Sequence, residues 1–170
     1  IAGSYFDADE SNVDEFNEAA NCVGENWINI KSNVPIQLTS LNELKEISAG
    51  YGHLLALKQD GAVWSWGCNK YGQLGMGDVG NTDAVKQPRQ ISGLPQIIAV
   101  SSGFRHSTAL DNQGKVWAWG HNRWGEAGTD STENVLKPQI VDGVEHVQQV
   151  MAGLDYTLMI DEQQQLWGMG

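Results

Sequence analysis

The sequence predicts an all-β fold, a partial β-propeller of about two to three blades, each a four-stranded antiparallel sheet. Three observations carry that expectation. A segment of about fifty residues recurs along the chain, each copy holds tryptophans at the same place in a hairpin pattern, and glycine-bearing turns separate short β-prone runs.

The repeat is read directly. Ile47-Ser48-Ala49-Gly50-Tyr51-Gly52-His53 returns as Val100-Ser101-Ser102-Gly103-Phe104-Arg105-His106, and Gly61-Ala62-Val63-Trp64-Ser65-Trp66-Gly67 returns as Gly114-Lys115-Val116-Trp117-Ala118-Trp119-Gly120, a period of 53 residues. A third copy follows 50 residues later, with Gly153, Tyr156, Leu166, Trp167 and Gly170 at the places of Gly103, His106, Val116, Trp117 and Gly120. Pro35, Pro88 and Pro138 each stand 15 residues before the glycine of the next copy. The expected organisation is an acidic segment over 1–33 (an insertion or a degenerate part of a blade), the tail of a blade over 34–46, repeats over 47–99 and 100–149, and the start of a repeat over 150–170.

Within a copy, Leu44 to Ser48 reads as a strand leading into Gly50, as do Ile97 to Ser101 and Val147 to Met151. Leu54 to Leu57 and Ala62 to Trp66 read as a hairpin, with Asp60-Gly61 as a two-residue turn. Asp111-Asn112-Gln113-Gly114 keeps the glycine. Asp161-Glu162-Gln163-Gln164 lacks it, so that turn should be looser. Trp64 and Trp66 share one strand face, as do Trp117 and Trp119, while Val63 and Ser65 take the other. Gly72 and Gly75 suit a turn with positive φ, and the polar stretch from there to the proline reads as a surface loop.

Composition narrows the function classes. The formal charge of −11, from 21 acidic and 10 basic residues, argues against nucleic acid and anionic membrane surfaces as partners. No apolar run approaches the ~18–20 residues of a bilayer span. The start at Ile1-Ala2-Gly3 carries no targeting signal, and the chain looks cut out of something longer. Cys22 and Cys68 could form one disulfide or remain two thiols.

The run from small residues through Gly50 to His53, repeated from Ser101 to His106, resembles the signature of the RCC1 (regulator of chromosome condensation) repeat family. Its second element, Trp-Gly-x-Asn-x-x-Gly-Gln-Leu-Gly, stands as Trp66-Gly67-Cys68-Asn69-Lys70-Tyr71-Gly72-Gln73-Leu74-Gly75, with a weaker copy from Trp119 to Gly128. The resemblance covers about Val34 to Gly170. It implies a seven-bladed propeller, which at this period needs on the order of 350 residues. The remaining blades are therefore expected from the parent chain or from other subunits.

His53 and His106 recur at one repeat position and read as structural, packed between strands with their nitrogens bonded to backbone; the tryptophan pairs read as blade packing. Together with Gly50, Gly67, Gly103, Gly120, Gly153 and Trp167 they form the structural set. Candidate partner-binding residues are those the repeat leaves free: Tyr51, Gly52, Phe104, Arg105, Leu154 and Asp155 between the glycine and His positions, and Lys70, Tyr71, Arg123 and Trp124 in the loops. Tyr, Trp, Phe and Arg are the types enriched at protein interfaces. In the acidic head, Asp7, Asp9, Ser11, Glu15 and Glu18 have Ca²⁺-loop spacing, although Asn12 replaces the usual glycine and Asp14 the usual apolar residue.

No nucleophile elbow, phosphate loop, His-Glu-x-x-His or Cys-x-x-Cys occurs, so no enzyme is expected. The expected function is a non-catalytic scaffold whose rim loops bind a protein partner. The resemblance also implies guanine-nucleotide exchange on a small GTPase as an alternative, since the family includes such factors beside ubiquitin-ligase subunits, enzyme inhibitors and a Trp-based light sensor. For the light sensor, Phe104 occupies a variable position where a tryptophan could have stood. A structural subunit of a larger assembly is the third reading.

Overall fold

The computed structural model describes residues 33–35, 37, 41–79 and 84–170. The acidic head, with Asp7, Asp9, Ser11, Glu15, Glu18 and Cys22, and with it the Ca²⁺-loop spacing, lies outside the described residues.

Each repeat closes into one antiparallel sheet. Strands β1 (Leu44–Ala49), β2 (His53–Lys58), β3 (Val63–Gly67) and β4 (Val85–Gln90) pair in sequence order, as do β5 (Ile97–Ser102), β6 (His106–Asp111), β7 (Val116–Gly120) and β8 (Val135–Ile140). The third sheet has three strands among the described residues, β9 (Val147–Ala152), β10 (Thr157–Asp161) and β11 (Leu166–Met169). The outermost strands β4 and β8 contain Pro88 and Pro138, so the polar stretch does not run as loop up to the proline; it becomes strand three residues earlier. An outer strand tolerates a residue without an N–H because that side of its ladder is unpaired.

The hairpin turns correct two expectations. Lys58 N–H bonds Ala62 O at 2.9 Å and Gly61 N–H bonds Lys58 O at 3.0 Å, so the loop has three residues and ends on Gly61 at φ 86°. That is a tight turn followed by a left-handed residue, a common alternative to the two-residue hairpin. The third copy is no looser. Asp161 N–H bonds Gln165 O at 3.1 Å, Gln164 N–H bonds Asp161 O at 3.0 Å, and Gln164 takes φ 63° in place of glycine. Closing hydrogen bonds impose the conformation, and the side chain carries the strain.

Successive sheets stack face to face: β5 packs on β1 and β2, and β9 on β5 and β6. Leu55, Leu57, Val63, Val100, Leu110, Val116, Trp119 and Val147 form the continuous core between them. Alternation places Val63, Ser65 and Gly67 inside and leaves Trp64 and Trp66 half-buried. In the second sheet Trp119 is fully buried, because the loop of the sheet before it covers the indole: Nε1 donates to Gln73 O at 2.9 Å and Gly75 lies against the ring.

Histidine couples one sheet to the next, though not through backbone as expected. The Ser107 hydroxyl donates to Gln73 O at 2.8 Å, so its oxygen accepts from His53 Nε2 at 2.9 Å. One sheet on, Thr157 donates to Glu126 O at 2.9 Å and accepts from His106 Nε2 at 3.0 Å. A hydroxyl has one proton, which fixes both rings as the Nε2–H tautomer. Nδ1 of each is buried without a hydrogen-bonding partner among the described residues. Gly50 and Gly103 make room for these rings, since a Cβ at either would strike the imidazole and a carbonyl of the next sheet.

Candidate functional site

One end of the stack gathers the β1–β2, β5–β6 and β9–β10 turns with the long loops that follow β3 and β7. Backbone bonds tie them together: Cys68 N–H to Gly52 O at 2.7 Å, and His121 N–H to Arg105 O at 3.0 Å. The motif asparagine and glutamine fold each loop from within. Asn69 Oδ1 accepts Leu74 N–H at 3.0 Å and Gln73 Oε1 accepts Tyr71 N–H at 2.9 Å. In the second loop Asn122 Oδ1 accepts Ala127 N–H and Glu126 Oε2 accepts Trp124 N–H, both at 2.9 Å. Cys68 is buried and disulfide-bonded.

These loops bring most of the variable-position residues into one cluster. The Tyr51 and Phe104 rings, from neighbouring sheets, lie 4.4 Å apart. The Arg105 guanidinium sits 4.9 Å from both the Phe104 and the Tyr71 ring centres, buried between them. Cation–π contact of this kind is worth about 0.5–2 kcal/mol depending on desolvation. Lys70 reaches the edge of the cluster, 5.8 Å from the Tyr71 ring. Tyr71 meets His121 edge-on at 5.0 Å. Arg123 and Trp124 pair with each other at 5.5 Å, and Trp124 is 60% exposed. Gly52 is buried under the cluster, while Leu154 is exposed at its edge.

Asp155 does not join the aromatic group. Its carboxylate lies with His121 Nδ1 and a Glu126 oxygen, all ligand atoms within 4.8 Å of one another. His121 Nδ1 contacts Glu126 Oε1 directly. Burial pushes the Glu126 carboxyl up, but bonding to His121, the amides of Glu126 and Trp124 and the His121 charge together hold it below the usual carboxylate value. Reading the sequence for single variable positions misses His121 and Glu126. The signal was available, because they replace Cys68 and Gln73 of the preceding copy.

The family model described as the Regulator of chromosome condensation (RCC1) repeat matches residues 60–110 and 113–160, more than half of the chain. A second model of that description matches 44–73 and 97–125. Among individual proteins, the human "Probable E3 ubiquitin-protein ligase HERC4" is 37% identical over 102 residues, covering 56% of this chain and 9% of its own length. The Arabidopsis thaliana ultraviolet-B receptor UVR8 is 33% identical over 99 residues, covering 56% and 22%. The chain thus spans less than a quarter of either relative. In fold it is similar to Prp20p of Saccharomyces cerevisiae, described with its binding to Gsp1p and histones: the TM-score is 0.69 at 23% identity, over 75% of this chain and 33% of that one.

Proposed function

Because the chain belongs to the RCC1 repeat family, we propose that it is a non-catalytic part of a propeller that holds a protein partner at the loop end of its blades. The observation that carries this reading is the Tyr51, Phe104, Arg105 and Tyr71 cluster, assembled across sheets from positions the repeat leaves free. Aromatic anchors around a desolvated arginine are the composition of interface hot spots, and Tyr51 and Trp124 present exposed rings beside it. Sheets hydrogen-bonded to one another keep those anchors in place without further ordering cost on binding. Binding of the intact protein to its purified partner should weaken by about tenfold or more in Tyr51→Ala or Trp124→Ala, with an unchanged thermal midpoint. Unaltered affinity in both variants would remove this end as the contact surface.

A second, finer reading is guanine-nucleotide exchange on a small GTPase. It is motivated by the fold shared with Prp20p, described with its binding to Gsp1p, and by the exchange factors that the sequence resemblance implies. Release of a fluorescent guanine nucleotide from candidate GTPases, measured with and without the intact protein, tests it directly; no acceleration would exclude this reading and leave the first standing. A role as a subunit that completes a larger assembly is tested by particle size in solution.

A further inference from the structure

We propose that His121, Glu126 and Asp155 bind a divalent transition-metal cation of the zinc class at the junction of the second and third sheets. One imidazole nitrogen and two carboxylate oxygens converge within 4.8 Å, and His121 and Glu126 are buried. Three such ligands with a remaining position for water suit zinc. They do not suit calcium, which takes six to eight oxygens.

The preceding junction serves as an internal control. Cys68, Gln73 and Arg105 occupy the places of His121, Glu126 and Asp155 there, and that set offers a cation no carboxylate or imidazole. All three positions change together between the two junctions. Loop folding does not require the change, because Gln73 Oε1 caps Tyr71 N–H at the same 2.9 Å at which Glu126 Oε2 caps Trp124 N–H. Glu126 therefore performs the loop's structural task with one oxygen and turns the other toward His121. Tyr71 packs edge-on against the imidazole and fixes its plane.

A cation at this point would be attracted by both carboxylates at once. Asp155, half-buried, forms the side open to solvent. Since it belongs to the third sheet and the other two to the second, the ion would staple the sheets together. The site stands independently of the partner-binding reading.

The test uses the full chain without an affinity tag, titrated with Zn²⁺ by calorimetry and with Co²⁺ by visible absorption. One ion per chain, a raised thermal midpoint and ligand-field bands of a low-coordinate site are expected. Glu126→Gln, which restores the amide of the first junction, and Asp155→Asn should each weaken binding by on the order of tenfold or more. The metal-free midpoint should stay near that of the parent in Asp155→Asn and fall in Glu126→Gln, which loses the buried contact with His121. Absence of saturable binding, or binding that both variants leave intact, would overturn the site; in the latter case the ion is held elsewhere on the chain.

Discussion

Lowering the pH from about 8 to about 5 should remove roughly 4 kcal/mol from the stability of the intact propeller through two imidazoles alone. Burial pulls His53 from 6.5 to about 3, with the neighbouring His106 adding to the shift. It pulls His106 from 6.5 to about 4, against the attraction of Glu126 and with the repulsion of His121. Both folded values lie below the unfolded one, so the unfolded chain takes up protons first as the pH drops. The stabilisation is complete above 6.5 and is lost at close to 1.4 kcal/mol per pH unit per ring, about 2 kcal/mol each by pH 5. A proton would have to sit on Nδ1, which in both rings is buried without a hydrogen-bond partner among the described residues. Denaturant unfolding followed by tryptophan fluorescence across this pH range measures the loss. Acid titration of carboxylates contributes to the same curve, so His106→Gln isolates the ring: its amide can still donate to Thr157, and the pH slope should drop by about half. A slope unchanged in that variant, or stability that rises toward pH 5, would refute the reasoning.

Four substitutions test other features by thermal or denaturant unfolding. Gln164→Gly should stabilise by about 1 kcal/mol, because it relieves a left-handed residue that the turn's closing bonds impose. Lys58→Asp should stabilise by about 1 kcal/mol. Trp117 and Trp167 donate to Asp111 and Asp161 at 2.9 and 2.8 Å, whereas Lys58 stands at that position in the first sheet and the buried Trp64 Nε1 has no partner among the described residues. Gly103→Ala should cost about 2 kcal/mol or more, since its Cβ would meet the His106 ring and a Gly153 carbonyl. Gly125→Ala, with open space around it but φ 89°, should cost nearer 1 kcal/mol.

The blade framework was legible because strand alternation and turn chemistry are local. Val63 to Gly67 announces its own strand, and Gly61 and Gly114 announce the left-handed end of their turns. Gln164 hid the same turn, for there the closing hydrogen bonds override the residue's preference. The partners of His53 and His106 were harder to see, lying 54 and 51 residues ahead in the next sheet. Yet each is the hydroxyl residue directly after the next histidine position, so the repeat does encode them once sheets are known to stack in order. Arg105 reads from the sequence as a partner-binding residue at a free position; stacking between two rings from different sheets buries it, which no spacing along one strand reveals. His121 and Glu126 needed a comparison between copies rather than a search for variable positions.

That comparison between copies also says what the outer sheets lack. Val100, on the second sheet, is 4% exposed, and Ile47 at the same place on the first is 69% exposed. On the other side Val116 is fully buried while Leu166, its counterpart on the third sheet, is 69% exposed. Chemistry is conserved across each pair, so the difference comes from the presence or absence of a neighbouring sheet among the described residues. Covering one such aliphatic side chain is worth about 1.5–3 kcal/mol, and a whole blade face presents several. The hydroxyl relay makes no such demand, for on the first sheet Leu54 stands at the place of Ser107 and Thr157, and on the third Tyr156 stands at the place of His53 and His106. Any further sheet that covers these aliphatic side chains adds to stability in the same way, and the loop-end cluster, which spans sheet boundaries, is held in register by the stacking of the described sheets.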